Sequence, residues 1–303
     1  MRLPYYTLDV FTERRFSGNP LAVVMGGDDL DTETMQAVAG AVNPPETGFV
    51  PKPPNPAHSA RLRIFTPATE LQFAGHPTIG TAALLAELKS PSVNGEQDAI
   101  VTLEQSIGTV RVGVRLKTGA AAFAEFDAPK LPEESGGVPS IERLAGAVGL
   151  MPSEIGFANH KPRRFVAGNA FVHIPVASLE ALSKAHVDMS HWRATFSGQG
   201  AVGAYLYTRQ CVHNTSSFHA RMFAPESGIA EDPATGSAAV GFAGVIHHFD
   251  RYPDGIHKRV IEQGFQMGRP SLIMLTLVVH GGRLDTVRIG GHSVRVAQGE
   301  LSV

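Results

Sequence analysis

His76-Pro77-Thr78-Ile79-Gly80-Thr81-Ala82-Ala83 and Asp232-Pro233-Ala234-Thr235-Gly236-Ser237-Ala238-Ala239 are the same phrase written twice, 156 positions apart in a chain of 303 residues. In each copy a polar residue precedes a proline. A glycine, a hydroxyl residue and two alanines follow, and then an apolar stretch of helical character. The upstream context repeats as well, as Arg63-Ile64-Phe65-Thr66-Pro67 and Arg221-Met222-Phe223-Ala224-Pro225. A repeat at about half the chain length implies two related lobes, each presenting a helix N-terminus. Such termini carry unpaired N–H groups and the positive end of the helix dipole, so a pair of them suits a small anionic ligand.

Composition narrows the possibilities. Hydrophobic residues make up 43% and charged residues 18% of the chain, which is ordinary for a globular protein with real cores. The net charge of −2 gives no reason to expect nucleic acid or an acidic membrane surface as partner. The lone cysteine, Cys211, allows no intrachain disulfide, which fits a reducing cytosol, and is expected to be an inert buried thiol. The first residues lack the apolar core of a signal peptide, and the longest apolar run, at 272–279, is too short to span a bilayer. A cytoplasmic protein is the expectation.

Strand and turn signals dominate the rest. Asp31 is placed to cap a helix with Met35, Val38, Ala39 and Val42 on its apolar face, and Asn43-Pro44-Pro45 stops it. Glu46-Thr47-Gly48-Phe49-Val50 then opens a strand. Proline in the two repeats predicts helices over 77–88 and 233–247, with the proline at the first helical position. Shorter helices are expected at 140–148 and 179–183. Stretches 101–103, 109–116, 121–126, 203–208, 218–223, 272–279, 286–289 and 293–296 read as sheet. The Pro/Gly/Glu-rich stretch 129–139 marks the boundary between an N-terminal lobe, 1–128, and a C-terminal lobe, 129–303; the last strand is a candidate to complete the first lobe. Strands with one long helix per lobe predict an α+β fold rather than the regular alternation of a doubly wound sheet.

Three acidic or basic residues stand where chemistry would need them. Glu46 lies on a joint pinned by two prolines, which suits a general acid/base; a surface glutamate in a turn is the plainer reading. At the head of a helix the dipole disfavours a protonated ring, so His76 would be a neutral proton relay, or else merely cap its loop. Asp232 before Pro233 has the look of an N-cap, a role compatible with catalysis. Ser237 and Thr81 fall in matching slots of the repeat, where hydroxyl and backbone N–H groups could hold a carboxylate or simply pack. Other motifs fail. The glycines at 75 and 80 lack the lysine of a phosphate loop, no Gly-x-Gly-x-x-Gly opens a helix, and Ser237 is not in a nucleophile elbow. The adjacent His247 and His248 point in different directions on a helix, so no metal is expected.

Beyond the repeat, ordered stretches run along nearly the whole chain: Asp9-Val10-Phe11-Thr12, Gly18-Asn19-Pro20-Leu21-Ala22-Val23-Val24, Glu46-Thr47-Gly48-Phe49-Val50, Arg63-Ile64-Phe65-Thr66-Pro67, Phe73-Ala74-Gly75-His76-Pro77-Thr78-Ile79-Gly80-Thr81-Ala82, Glu231-Asp232-Pro233-Ala234-Thr235-Gly236-Ser237-Ala238, and Gln263-Gly264 through Met267-Gly268-Arg269-Pro270-Ser271. In these the chain resembles the PhzF family, named for a phenazine-biosynthesis isomerase and sharing a two-lobed fold with diaminopimelate epimerase and proline racemase. The resemblance implies pseudo-symmetric lobes, each a curled, mostly antiparallel sheet around a central helix, with the active site in the cleft between them. It implies a homodimer that binds a small anionic substrate and uses no metal and no organic cofactor. It also implies Glu46 as the proton-transferring base, with His76, Asp232 and Ser237 as companions and Gly75, Thr78, Thr235 and Gly236 lining the substrate. The expected reaction moves a proton within a small carboxylate- or amino acid-like molecule; dehydration of a cyclic hydroxy amino acid, or ligand binding without turnover, are the alternatives. Where the related epimerases place two thiols, this chain has Ala74 and Thr235, so two-thiol racemisation is excluded. Pro45 stands where the family commonly has a hydroxyl residue, and Gln72 where it often has proline.

Overall fold

The computed structural model describes residues 1–90, 94–198 and 200–303. The chain divides into two compact units, one of Met1–Pro129 with Gly290–Val303 and the other of Lys130–Ile289. The long last strand, Arg283–Ser302, begins in the second unit and ends in the first. Its end lies antiparallel to Arg2–Val10, with Leu8 opposite Arg295.

Strand pairing runs through the same sequence of steps in each unit. In the first, Arg2–Val10 and Asn19–Met25 form an antiparallel pair, and Asn19–Met25 is parallel to Glu46–Val50. Glu46–Val50 is antiparallel to Arg63–Phe65; Ala60–Arg61 is parallel to Glu96–Gln105, which turns back antiparallel into Gly108–Lys117. In the second, Arg163–Ala167 and Asn169–Pro175 are antiparallel, and Asn169–Pro175 is parallel to Gly203–Thr208. Gly203–Thr208 is antiparallel to Phe218–Ala224, which is parallel to Gly255–Gln263, which turns back into Ser271–His280. The repeat seen in eight residues therefore extends to whole lobes, and the fold is α+β with a predominance of sheet.

One helix in each lobe is buried on every side. In Gly75–Lys89 all residues from Gly75 to Ala86 are buried, and the helix packs on strands Arg2–Val10, Asn19–Met25, Glu46–Val50, Glu96–Gln105, Gly108–Lys117 and Ala122–Asp127. In Gly236–Asp250 burial runs from Gly236 to Ile246 with Ser237 the exception. A helix apolar all round belongs inside a core. Small residues let the strands come close. A Cβ on Gly80 would lie 2.6 Å from Leu21 Cδ2 and 2.7 Å from Val10 Cγ2. Phe242 fills the second core, with its ring centroid 4.6 Å from that of Tyr207 and 4.9 Å from that of Phe218. Burying a side chain of this kind is worth about 2–3 kcal/mol.

Several expectations from sequence change. The first central helix starts at Gly75, not Pro77, because proline is tolerated anywhere in the first turn, where N–H groups have no helical partner. The second starts at Gly236, not Pro233. The helix Met189–Phe196 falls outside the elements expected; Asp188 caps it, and Trp192 stacks on Phe196 at 4.2 Å. Asp31 caps Thr32–Val42 as expected, accepting the Thr34 N–H at 2.7 Å. Among the described residues no helix is long and apolar enough to cross a membrane.

The doubled arginine also proves structural. Arg63 grips Glu70 with two bonds of 2.8 and 2.7 Å, and Arg221 grips Glu231 with two of 2.8 Å. Each guanidinium lies over a ring two residues on, Phe65 or Phe223. Arg221 is the more deeply buried and also donates to the carbonyls of Leu182, Ser183 and Ala185. Removing it strands a carboxylate and three carbonyls. Arg221→Met should therefore cost about 3–5 kcal/mol in urea unfolding, and Arg63→Met closer to 1. Equal losses would contradict this account of burial.

Candidate active site

The first lobe brings Glu46 and His76 together by way of Pro20. The helix Thr32–Val42 ends at Asn43, whose φ of 56° turns the chain left-handed, and Pro44-Pro45 carries it into the strand that Glu46 begins. Parallel pairing sets Glu46 beside Leu21, the residue after Pro20. The Pro20 carbonyl accepts a hydrogen bond from the ring of His76, the second residue of the central helix. Nε2 has no hydrogen-bond partner, so the bond to Pro20 comes from Nδ1–H, and this partner assigns the tautomer.

Burial then decides the charge. His76 is 4% exposed, and desolvation lowers its pKa from 6.5 to about 3 against the opposing pull of the Pro20 carbonyl. The ring is neutral, and Nε2 faces the Glu46 Oε2 at 3.3 Å. That contact is within ion-pair distance but is neither aligned as a hydrogen bond nor an imidazolium–carboxylate pair. It is a carboxyl oxygen against an acceptor nitrogen, an arrangement able to hold one proton between them.

The first-turn hydroxyls are turned inward. Thr78 Oγ donates to the Ala74 carbonyl at 2.7 Å and accepts from Gln105 Nε2 at 2.9 Å. Thr81 lies a full turn further along, fully buried, near enough for its Oγ to stand 3.4 Å from a Cβ on Gly48. Because the helix starts at Gly75, Thr81 and Ser237 are not in matching turns, and an anion site built from both is corrected. Gly75 is the first helical residue, with its N–H among the unpaired group.

In the second lobe Asp232 closes the strand Ile229–Asp232, opposite Met222. The cap position belongs to Thr235, not Asp232. The reason is a set of hydrogen bonds that holds 232–235 out of the helix. Thr235 Oγ donates to Asp232 Oδ2 at 2.6 Å, and the Gln263 side chain binds the Thr235 N–H at 3.2 Å, its Oγ at 2.9 Å and the Asp232 carbonyl at 2.8 Å. Gly236 and Ser237 are the first two helical residues, and Ser237 is half-buried. Tyr205 is fully buried, and burial with the nearby Asp232 charge pushes its pKa up, so the phenol keeps its proton.

Sequence reasoning missed the Pro20 carbonyl, Tyr205 and the two glutamines. The glutamines had a signal. Glu104-Gln105 and Glu262-Gln263 are a second doubled phrase, 158 positions apart, each ending the strand that follows a central helix. Cys211 is half-exposed rather than buried, and desolvation with the Glu262 charge lifts its thiol to about 11, which keeps it unreactive. Among the described residues no group of three or more His, Cys, Asp or Glu is placed to hold a metal.

The His76 environment sets a pH dependence. Unfolded, the ring takes a proton near 6.5; folded, only near 3. The unfolded state binds more protons between these values, so the stabilisation present above about 6.5 is lost progressively as pH falls toward 3. His173, fully buried and lowered to about 4, adds to the same slope. The urea midpoint of His76→Gln should fall less steeply than that of the wild type between pH 7 and pH 4; parallel curves would mean that the folded ring is charged.

Residues 8–299 match the family model PhzC-PhzF, phenazine biosynthesis-like protein. The chain is 49% identical to an uncharacterized isomerase of Mesorhizobium japonicum, covering 99% of this chain and 98% of that one. It is 31% identical to the trans-2,3-dihydro-3-hydroxyanthranilate isomerase of Pseudomonas chlororaphis, covering 98% of each. Its fold is similar to the crystal structure of a PhzF-family phenazine biosynthesis protein of Bacillus anthracis, with a TM-score of 0.88 at 22% identity over 100% of both chains. The chain therefore belongs to the PhzC-PhzF family of phenazine biosynthesis-like proteins and stands with the isomerases of that family.

Proposed function

We propose that this isomerase moves a proton between two carbons of a small, unsaturated, amino acid-like carboxylate, with Glu46 as the group that takes the proton and returns it. The observation that carries the reading is the Glu46–His76 contact. A proton taken from carbon arrives on a carboxyl oxygen that already has an acceptor nitrogen 3.3 Å away. His76 cannot compete as a charged donor, because burial keeps it neutral, and its Nδ1–H is committed to Pro20. The pair is fixed by a strand, a proline carbonyl and a buried helix rather than by loops, which is what proton transfer with a defined geometry requires.

Asp232 is the second proton-handling group in this reading, and Ser237 with the N–H groups of Gly75 and Gly236 supplies the carboxylate contacts. Helix-terminal N–H groups would also offset the negative charge that develops when a proton leaves a carbon next to unsaturation. The relationship to the Pseudomonas chlororaphis enzyme makes trans-2,3-dihydro-3-hydroxyanthranilate the first compound to test.

In D2O the wild-type protein should isomerise that compound and leave deuterium on carbon. Glu46→Gln should keep its circular dichroism spectrum and lose roughly 10²–10⁴-fold in turnover and in exchange. Exchange retained by the variant would remove Glu46 from the mechanism, and wild-type protein that leaves the compound unchanged would remove the compound as substrate.

A further inference from the structure

Gln263 is fully buried at the end of the strand Gly255–Gln263, and its amide is used entirely on one short loop. The orientation of that amide follows from its partners. The Thr235 backbone N–H can only donate, so the atom facing it at 3.2 Å is Oε1. Nε2 is then the atom that donates to the Asp232 carbonyl at 2.8 Å and to Thr235 Oγ at 2.9 Å. With an N–H directed into its oxygen, the threonine hydroxyl sends its single proton the other way, to Asp232 Oδ2 at 2.6 Å. The result is a one-way chain from amide to hydroxyl to carboxylate.

A glycine makes the chain possible. Gly264, with φ of 77°, follows Gln263, and a Cβ there would stand 2.5 Å from the Arg269 carbonyl and 2.6 Å from the Pro233 carbonyl. Only glycine lets this turn come so close to Pro233 and keep the Gln263 amide within reach of the residues on either side of it. The first lobe contains the same device with a different end. Gln105 Nε2 donates to Thr78 Oγ, and Thr78 donates to the Ala74 carbonyl, so that chain ends on a neutral backbone group. Only the second lobe's copy ends on an acid.

We propose that Gln263 is a positioning residue for the isomerase, acting through Thr235 to hold Asp232 as an oriented, ionised carboxylate. The proposal rests on the reading of Asp232 as a proton-handling group. The donated hydrogen bond favours the ionised form, and the backbone bond to the Asp232 carbonyl fixes where that carboxylate starts from. The titratable and charged neighbours are Tyr205 on the strand Gly203–Thr208, the Arg221–Glu231 pair beside Asp232, the buried Glu262–His219 pair next to Gln263, and Arg269 on the turn against Pro233. Tyr205 stays a neutral phenol. Glu231 and Glu262 are each held by a fixed partner of their own, at 2.8 and 2.7 Å.

The test reads the carboxylate itself. Protein labelled with 13C at the aspartate carboxyl carbon is titrated by NMR, with Asp232→Asn to assign the signal. Thr235→Val, the same shape without the hydroxyl, should raise the Asp232 midpoint by about one pH unit, and Thr235→Ser should restore it. Gln263→Met, which keeps Thr235 but releases its proton, should raise it by less and gives a second reading if the valine variant does not fold. With trans-2,3-dihydro-3-hydroxyanthranilate as probe, Thr235→Val should lower kcat tenfold or more, leave KM nearly unchanged and move the acidic limb of the pH profile upward, with recovery in Thr235→Ser. A midpoint unmoved in both Thr235→Val and Gln263→Met overturns the positioning role. A midpoint that moves while kcat on the probe does not would overturn instead the reading of Asp232 as a proton-handling group.

Discussion

A helix buried on all sides must have the polar groups of its first turn satisfied from within the protein, since water cannot reach them. Both central helices meet this constraint for the groups that follow while leaving others open, such as Nε2 of His76, and the candidate residues of each lobe lie beside these contacts. In Gly75–Lys89 the Pro20 carbonyl takes the ring N–H of His76, and Gln105 with the Ala74 carbonyl takes up the hydroxyl of Thr78. In Gly236–Asp250 the Gln263 amide answers the N–H and hydroxyl of Thr235. Side chains held in this manner have little freedom left, so the groups beside them, Glu46 and Asp232, inherit a fixed geometry. Packing and the order of these carboxylates are one requirement here, not two.

The same constraint explains what the amino-acid sequence shows and what it hides. The lobes were legible because the helices are buried: Gly, Ala and hydroxyl residues at fixed places are the footprint of close packing, and they occur twice. The joint leading to Glu46 was legible because Asp31, Asn43 and two prolines act through local rules. Where the helices begin was not legible. The repeated proline is compatible with the first or third helical position, and in the second copy with a place before the helix altogether. The choice is made by contacts distant in sequence. Gln263 lies 28 positions from Thr235 and holds the Asp232–Thr235 stretch out of the helix; at Gly75 the turn closes, with the Thr78 N–H reaching the Ala74 carbonyl at 3.3 Å. Asp232 could thus be found as a candidate but not placed, since its partner is specified by another strand.

The two lobes show what a duplicated scaffold can keep while its chemistry diverges. Pairing order, the arginine–glutamate grip and the strand-end glutamine are retained in both. What differs is the direction in which protons are offered. In the first lobe a backbone carbonyl takes the only ring proton, so Glu46 meets an acceptor nitrogen. In the second an amide pushes a hydroxyl proton outward, so Asp232 meets a donor. An acid facing an acceptor and an acid facing a donor stand in opposite hydrogen-bonding surroundings, so the same scaffold gives its two acids different partners. It is Thr235 that carries the proton which makes the second lobe different from the first.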